Sequence, residues 1–127
     1  MIQTGTFLNV IDNSGAKTAE CIKIRQGYKK RYAVIGDIIL VSVKSLRKKR
    51  RSFSKVKKGE MYQALIIRTK SKKFYPFCDN FNFLENAVIL FTKQNKFLGT
   101  RIFGSIIKHF RYTKYMRLIS MSSGFVN

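Results

Sequence analysis

The chain has 127 residues, and its 26 lysines and arginines against six acids give a formal net charge of +20 at pH 7. This charge far exceeds what solubility requires, so we expect a negatively charged partner. Because 45% of the residues are hydrophobic and 13% are aromatic, the composition excludes a disordered basic tail and favours a folded nucleic-acid-binding protein. No apolar run reaches the roughly 20 residues of a membrane-spanning helix, which leaves binding to a membrane surface as an alternative.

The length predicts a single domain over residues 1–127. Apolar patterns bounded by turn residues predict strands at residues 6–12, 17–25, 38–46, 61–69 and 87–92, with a loop at 70–86. Short strands at this spacing favour a small, mainly β barrel. The spacing of Ile106, Ile107 and Phe110 predicts one or two short helices within residues 105–117, with Ser105 as the N-cap.

The densest run of positive charge is KSLRKKRRSFSKVKK at residues 44–58, between two apolar strands. This arrangement predicts a long hairpin with a cationic loop at its end, and each cation of the loop can neutralise one phosphate. The predicted phosphate-binding residues are Arg47, Lys48, Lys49, Arg50, Arg51, Lys55, Lys57 and Lys58. The aromatic residues that could stack on unpaired bases, or could instead pack within the protein, are Tyr28, Tyr32, Phe53, Phe74 and Tyr75.

No set of residues indicates catalysis. The six acids are scattered, the single histidine, His109, lies among apolar residues, and Gly99–Gly104 lacks the lysine that a phosphate-binding loop requires. Cys21 and Cys78 have no neighbours at metal-ligand spacing, so we predict that both are reduced, with a disulfide between them as the alternative. The sequence therefore predicts no catalytic residue, no metal site and no cofactor.

Several motifs occur together in order along the chain, and as a set they resemble the universal large-subunit ribosomal protein fourteen family in its bacterial and organellar form. They are Met1–Gln3, Thr6, Leu8–Val10, Asp12–Ala16, Cys21–Lys23, Arg31–Ala33, Gly36–Ile39, Lys55–Gly59, Ile67–Lys70, Asn86–Ala87 and Gly99–Gly104.

This resemblance implies a five-stranded β-barrel with a short C-terminal helical segment. It implies binding to large-subunit ribosomal RNA near the site where translation factors dock, and a bridge to small-subunit RNA. The protein partners that it implies are ribosomal proteins three and nineteen and a ribosome silencing factor. The RNA-facing positions would be Asn13, Ser14, Lys23, Lys29, Arg31, Lys57, Lys58 and Arg68, and the outward protein-binding surface would hold Thr100, Arg101 and Lys114.

The chain departs from the family pattern in two places. The loop at Leu46–Ser54 is longer and more cationic, which predicts additional RNA contacts, and the segment around Asp79–Asn80 is shorter.

Frequent Phe, Ile, Lys, Tyr and Asn with scarce Ala and Pro are typical of an A+T-rich genome, and no import leader precedes the first motif. These features predict a mitochondrial, organelle-encoded ribosomal protein, with a plastid or a bacterial cytoplasm as the alternative. The alternative functions are a free-standing single-strand-binding barrel and a metal-dependent nuclease.

Overall fold

The computed structural model describes residues 1–25, 27–48, 54–71, 73–75 and 78–126, with the backbone alone at 73–75 and 78–81. The strands in these ranges are β1 (Phe7–Val10), β2 (Ala16–Ile24), β3 (Ile38–Leu46), β4 (Met61–Arg68), β5 (Lys73–Tyr75), β6 (Cys78–Phe81), β7 (Ala87–Phe91), β8 (Ile102–Ile107) and β9 (Ser122–Val126). A 3-10 helix covers Lys108–Tyr112, and the α-helix α1 covers Arg117–Met121.

Strands β1, β2, β3, β4 and β7 form a closed five-stranded barrel in that order, which confirms the predicted fold. The barrel closes through β1, which pairs antiparallel with β2 and parallel with β7. Strands β3 and β4 form the predicted antiparallel hairpin, with Ile38 opposite Leu65 and Ser42 opposite Met61. Beyond Ser42, β3 continues alongside β2, where Leu46 lies opposite Ala16, so the end of β3 is held by the barrel.

Two apolar clusters explain why β4 and β7 consist of uninterrupted apolar runs. Ala64 and Ile66 of β4 pack inside the barrel, whereas Leu65 and Ile67 face a second cluster on its outer side. The residues of β7 divide in the same way. Because the C-terminal segment covers the outer face, both strands are buried on two sides, as their composition predicts.

The C-terminal segment agrees with the prediction in part. The predicted N-cap at Ser105 is wrong, because β8 runs to Ile107 and Ser105 lies opposite Gly124 in a parallel pair with β9. Short helical structure follows: the 3-10 helix lies within the predicted range, and α1 begins at its end. Ile106 and Ile107 are both buried in the outer cluster, and the β9 ladder supplies backbone partners for this stretch. The helical structure consists of the 3-10 helix and α1, which together form the crossover that a parallel pair needs.

The predicted loop at 70–86 also contains structure, because β5 and β6 form a short antiparallel hairpin there. Cys21 is buried with a free thiol, and the side chain of Cys78 lies outside the described part of the chain. Within the described ranges, no helix is long and apolar enough to cross a membrane. In the same ranges, no three His, Cys, Asp or Glu side chains are grouped as metal ligands would be.

Candidate nucleic-acid interface

The turn at residues 12–15, hereafter the Asp12 turn, joins three parts of the chain. The Asp12 side chain is 1% exposed, and its Oδ2 atom accepts a hydrogen bond of 2.9 Å from the backbone N–H of Leu90 in β7. Its Oδ1 atom accepts from the backbone N–H of Ser14 at 3.0 Å and from the Ser14 hydroxyl. The carboxylate therefore shapes the turn and fixes it to the barrel wall.

Asn13 connects the turn to residues 99–101. Its Oδ1 atom accepts from the backbone N–H of Thr100 at 2.7 Å, and its Nδ2 atom donates to the Thr100 hydroxyl at 2.8 Å. Gly99 lies so close that an added Cβ would be 2.7 Å from the Cβ of Asp12. Only glycine fits there without a shift of the turn, which accounts for one of the glycines at 99–104.

The segment at residues 47–58, hereafter the basic segment, is anchored to the Asp12 turn at two points. The backbone N–H of Arg47 donates to the carbonyl oxygen of Gly15 at 2.9 Å, and that of Lys55 donates to the carbonyl oxygen of Ser14 at 3.0 Å. Val56 is buried in the barrel cluster, and the Lys55 amino group donates to the carbonyl oxygen of Leu98 at 3.2 Å. The described ends of the segment, at residues 47–48 and 54–58, are therefore attached to the barrel.

The exposed cations of the basic segment lie on both sides of these anchors. Lys48, Lys57 and Lys58 are exposed, and Arg47 is half-buried. Lys49, Arg50 and Arg51, which were predicted to bind phosphate, lie outside the described residues, as does Phe53. Of the predicted set, Lys48, Lys55, Lys57 and Lys58 are therefore exposed on the described part of the segment.

A groove of about 490 Å³ contains three of the predicted RNA-facing residues, Lys23, Lys29 and Arg31. All three are exposed, and the Lys29 amino group lies 5.3 Å from the ring centroid of Tyr28, which is 91% exposed. Tyr32, a predicted stacking residue, also lines this groove. We call it the Lys23 groove; its lining combines several cations with one aromatic ring, that of Tyr32.

Two predicted RNA-facing residues are not on the exposed surface. Ser14 is 1% exposed, and the side chain of Arg68 is 9% exposed. The Arg68 guanidinium donates to the carbonyl oxygens of Ser105 at 2.8 Å and Phe103 at 2.6 Å, and forms an ion pair of 2.5 Å with Glu85. Arg68 therefore connects β4 to β8, and its donors are used within the protein.

The predicted protein-binding residues lie in two places. Thr100 and Arg101 are exposed beside the Asp12 turn, where Asn13 fixes their backbone. Lys114 is exposed in the connection before α1, and its amino group lies 5.2 Å from the ring centroid of Tyr115. Lys114 and Tyr115 also line a groove of about 280 Å³ with Phe91 and Phe97.

The carboxylates of the described acids bond to other residues of the same chain. Asp37 pairs with Lys30 at 2.6 Å and also accepts from the backbone N–H of Val34, and Glu20 pairs with Lys44 at 2.7 Å. The hydroxyl of Tyr62 donates to Glu60; this bond lowers the pKa of Glu60, while burial and the same bond raise the pKa of Tyr62 to about 12. Burial, with the neighbouring charge of Glu20, raises the pKa of the Cys21 thiol, which disfavours the reactive thiolate.

Three residues have structural roles that the sequence did not predict. Asp12 and Asn13 were expected only as part of a motif, with Asn13 also facing RNA, but their partners, Leu90 and Thr100, lie 78 and 87 residues away. Glu85 was not assigned any role, although it joins Arg68 to Asn9, whose Nδ2 atom donates to Glu85 at 3.0 Å. No local pattern indicates these long-range pairs; the only sequence signal is that Asp12 and Asn13 begin one of the quoted motifs.

Comparison with known families gives one match over nearly the whole chain. The family model described as ribosomal protein L14p/L23e matches residues 1–126. The match includes the Asp12 turn, the basic segment and the Lys23 groove.

Proposed function

We propose that this chain, which belongs to the ribosomal protein L14p/L23e family, is a structural protein of the large ribosomal subunit that holds ribosomal RNA through its basic segment and Lys23 groove. The family supports a large-subunit ribosomal protein and hence a location on the ribosome. The observation that carries the RNA contact is the double anchoring of the basic segment on the Asp12 turn. A fixed base reduces the conformational entropy lost when exposed cations engage phosphates.

The two surfaces would contribute in different ways. Lys48, Lys57 and Lys58 are flexible point charges on a fixed backbone, which suits phosphate binding and gives affinity without sequence preference. At the Lys23 groove, the exposed ring of Tyr32 would offer a flat face to an unpaired base beside the cations. Binding by both surfaces would fix the orientation of the barrel on the RNA.

The finer roles rest on the resemblance. We propose contact with large-subunit RNA near the translation-factor site, a bridge to small-subunit RNA, and packing against ribosomal proteins three and nineteen. Exposure of Thr100, Arg101 and Lys114 supports the proposal that they belong to an outward surface that could receive a silencing factor. We also propose a mitochondrial ribosome as the location, on the residue bias of the sequence.

The test is co-sedimentation of the full-length protein with large ribosomal subunits through a wash at moderately high salt. We expect the wild-type protein to stay bound. The double variant Lys57→Gln, Lys58→Gln should be released at lower salt, because each lost phosphate contact lowers the affinity for RNA. The matched control is Lys70→Gln, Lys96→Gln, which removes the same charge from exposed lysines outside both surfaces.

The contrary result is a wild-type protein that stays in the soluble pool and binds short oligonucleotides of any sequence. That outcome supports the free-standing single-strand-binding barrel instead. Equal release of the two double variants would show that net charge, and not the basic segment, holds the RNA.

A further inference from the structure

A third groove, hereafter the Arg47 groove, lies between the ends of β1 and β3 and has a volume of about 690 Å³. This volume lies within the range of about 300–1,000 Å³ that is typical of small-ligand sites. Three cations line it, together with polar and apolar side chains. The lining residues used below are Asn9, Lys17, Leu46, Arg47, Lys48 and Glu85.

The guanidinium of Arg47 is held in place from several sides. Its Nη2 atom donates to the carbonyl oxygen of Val10 at 2.9 Å, and its backbone is bonded to Gly15. The guanidinium carbon lies 5.0 Å from the ring centroid of Phe103, which is 44% exposed. A planar cation that is supported by an aromatic ring is a preformed stacking surface for a flat ligand.

The polar side of the groove is also fixed. Asn9 donates to Oε2 of Glu85, while Oε1 of Glu85 is paired with the largely buried guanidinium of Arg68. This pairing neutralises the only acid among the lining residues, so an anionic ligand meets a net positive field from Lys17, Arg47 and Lys48. The Glu85 contact also orients the Asn9 amide, a group that hydrogen-bonds base edges well.

We propose that the Arg47 groove binds one unpaired nucleotide of the RNA, with the base stacked on Arg47, its edge at Asn9 and its phosphate between Lys17 and Lys48. This inference rests on the proposed RNA-binding function and names the ligand of one site. A paired base does not fit the arrangement, because the faces of bases in an RNA duplex are stacked on one another and cannot lie against Arg47. The groove would therefore read the shape of a bulged or looped nucleotide, which lysines alone cannot do.

The test uses the full-length protein and two synthetic pentamers with identical phosphates. One pentamer is abasic at every position, and the other carries a single 2-aminopurine at its centre. We expect the wild-type protein to bind the second pentamer about tenfold more tightly, which corresponds to one stacked base, and to quench its fluorescence. Equal affinity for both pentamers would show that the groove takes phosphate alone and would overturn the proposal.

Arg47→Lys keeps the charge but removes the planar stacking surface, so the tenfold preference should fall to about twofold or less. Arg117→Lys, at an exposed arginine on α1, should keep the full preference. A preference that survives Arg47→Lys would place the base elsewhere, such as on Tyr28, and would also overturn the proposal.

Circular dichroism checks that Arg47→Lys is folded. If it is not, Phe103→Leu is used instead. This variant removes the ring that supports the guanidinium of Arg47, so the preference for the base should also fall. Failure of this proposal is distinct from failure of the proposed function: a protein that co-sediments with large subunits but shows no base preference contradicts only the nucleotide site.

Discussion

The acids and the cations of this protein serve different regions, and the contrast between the Asp12 turn and the basic segment shows it most clearly. At the turn, one buried carboxylate is bonded entirely to the protein, and it organises backbone from three parts of the chain. On the basic segment, the backbone is bonded to the protein, while Lys48, Lys57 and Lys58 have exposed side chains. The negative charge of Asp12 therefore stabilises the fold, whereas the positive charges of the three lysines are accessible to a partner.

The same division holds elsewhere. Each acid whose side chain the structure describes is bonded within the chain: Asp12, Glu20, Asp37, Glu60 and Glu85. Their ion pairs use only Lys30, Lys44 and Arg68 within the described ranges. The chain carries 26 lysines and arginines, so the positive field that remains is large, and under the proposed function RNA would neutralise it.

The largest expected effect comes from removing the acid at the turn. Asp12→Ala leaves the buried N–H groups of Leu90 and Ser14 without their acceptor, and a buried unsatisfied donor costs about 1–3 kcal/mol. We expect the free energy of unfolding to fall by about 3 kcal/mol, measured by urea denaturation.

Glu20→Ala is the matched control, since it removes an acid from a partly exposed ion pair and should cost less than about 1 kcal/mol. If the two variants were equally stable, burial of the Asp12 carboxylate would not make it more important for folding than the partly exposed Glu20.

A smaller effect is expected where the buried arginine meets β8. Gly104 has a φ of +85°, and an added Cβ would lie 2.2 Å from Nη2 of Arg68. Gly104→Ala would therefore displace a guanidinium that is fixed by Phe103, Ser105 and Glu85. We expect the free energy of unfolding to fall by about 2–3 kcal/mol, of which roughly 1–2 kcal/mol is the cost of a left-handed backbone for alanine.

Gly5→Ala separates the two contributions. Gly5 has a φ of +81°, and an added Cβ would meet nothing within 4 Å, so this variant carries the backbone cost alone. The unfolding free energies from urea denaturation should show Gly104→Ala as the less stable of the two. Equal losses would mean that the Arg68 guanidinium adjusts without breaking its bonds.

The barrel was predictable because its signals are local. The apolar runs at Ala64–Ile67 and Ala87–Phe91 match strands that are buried on two sides, and the charged residues between β3 and β4 mark the hairpin loop. The C-terminal segment was less predictable, since adjacent buried isoleucines at 106 and 107 suit a helix or a strand, and the partner strand β9 contains two serines and a glycine. Strand pairing decided between them, and pairing is not a local property.

The candidate site also has features that the local sequence predicts and features that depend on long-range contacts. Charge density alone predicts the basic segment, and its described lysines are exposed, but their contact with RNA stays a prediction. The burial of Arg68 could not be predicted from the sequence. A lone arginine at the end of a strand does not indicate that Glu85 and the carbonyl oxygens of β8 surround it. The division of acids and cations likewise depends on contacts between distant parts of the chain.

The smallest effect, and the sharpest test of the division, compares two exposed lysines. Lys44 is paired with Glu20 at 2.7 Å, whereas Lys58 lies on the basic segment and is not among the ion-paired lysines of the described chain. For binding to large-subunit RNA, Lys58→Gln should reduce the slope of log affinity against log salt by about 1, since one phosphate contact is lost. Lys44→Gln should leave the slope nearly unchanged, because its charge is already partnered within the protein. Filter binding over a range of salt concentrations measures both slopes, and equal reductions would show that pairing with an acid does not decide which cations bind RNA.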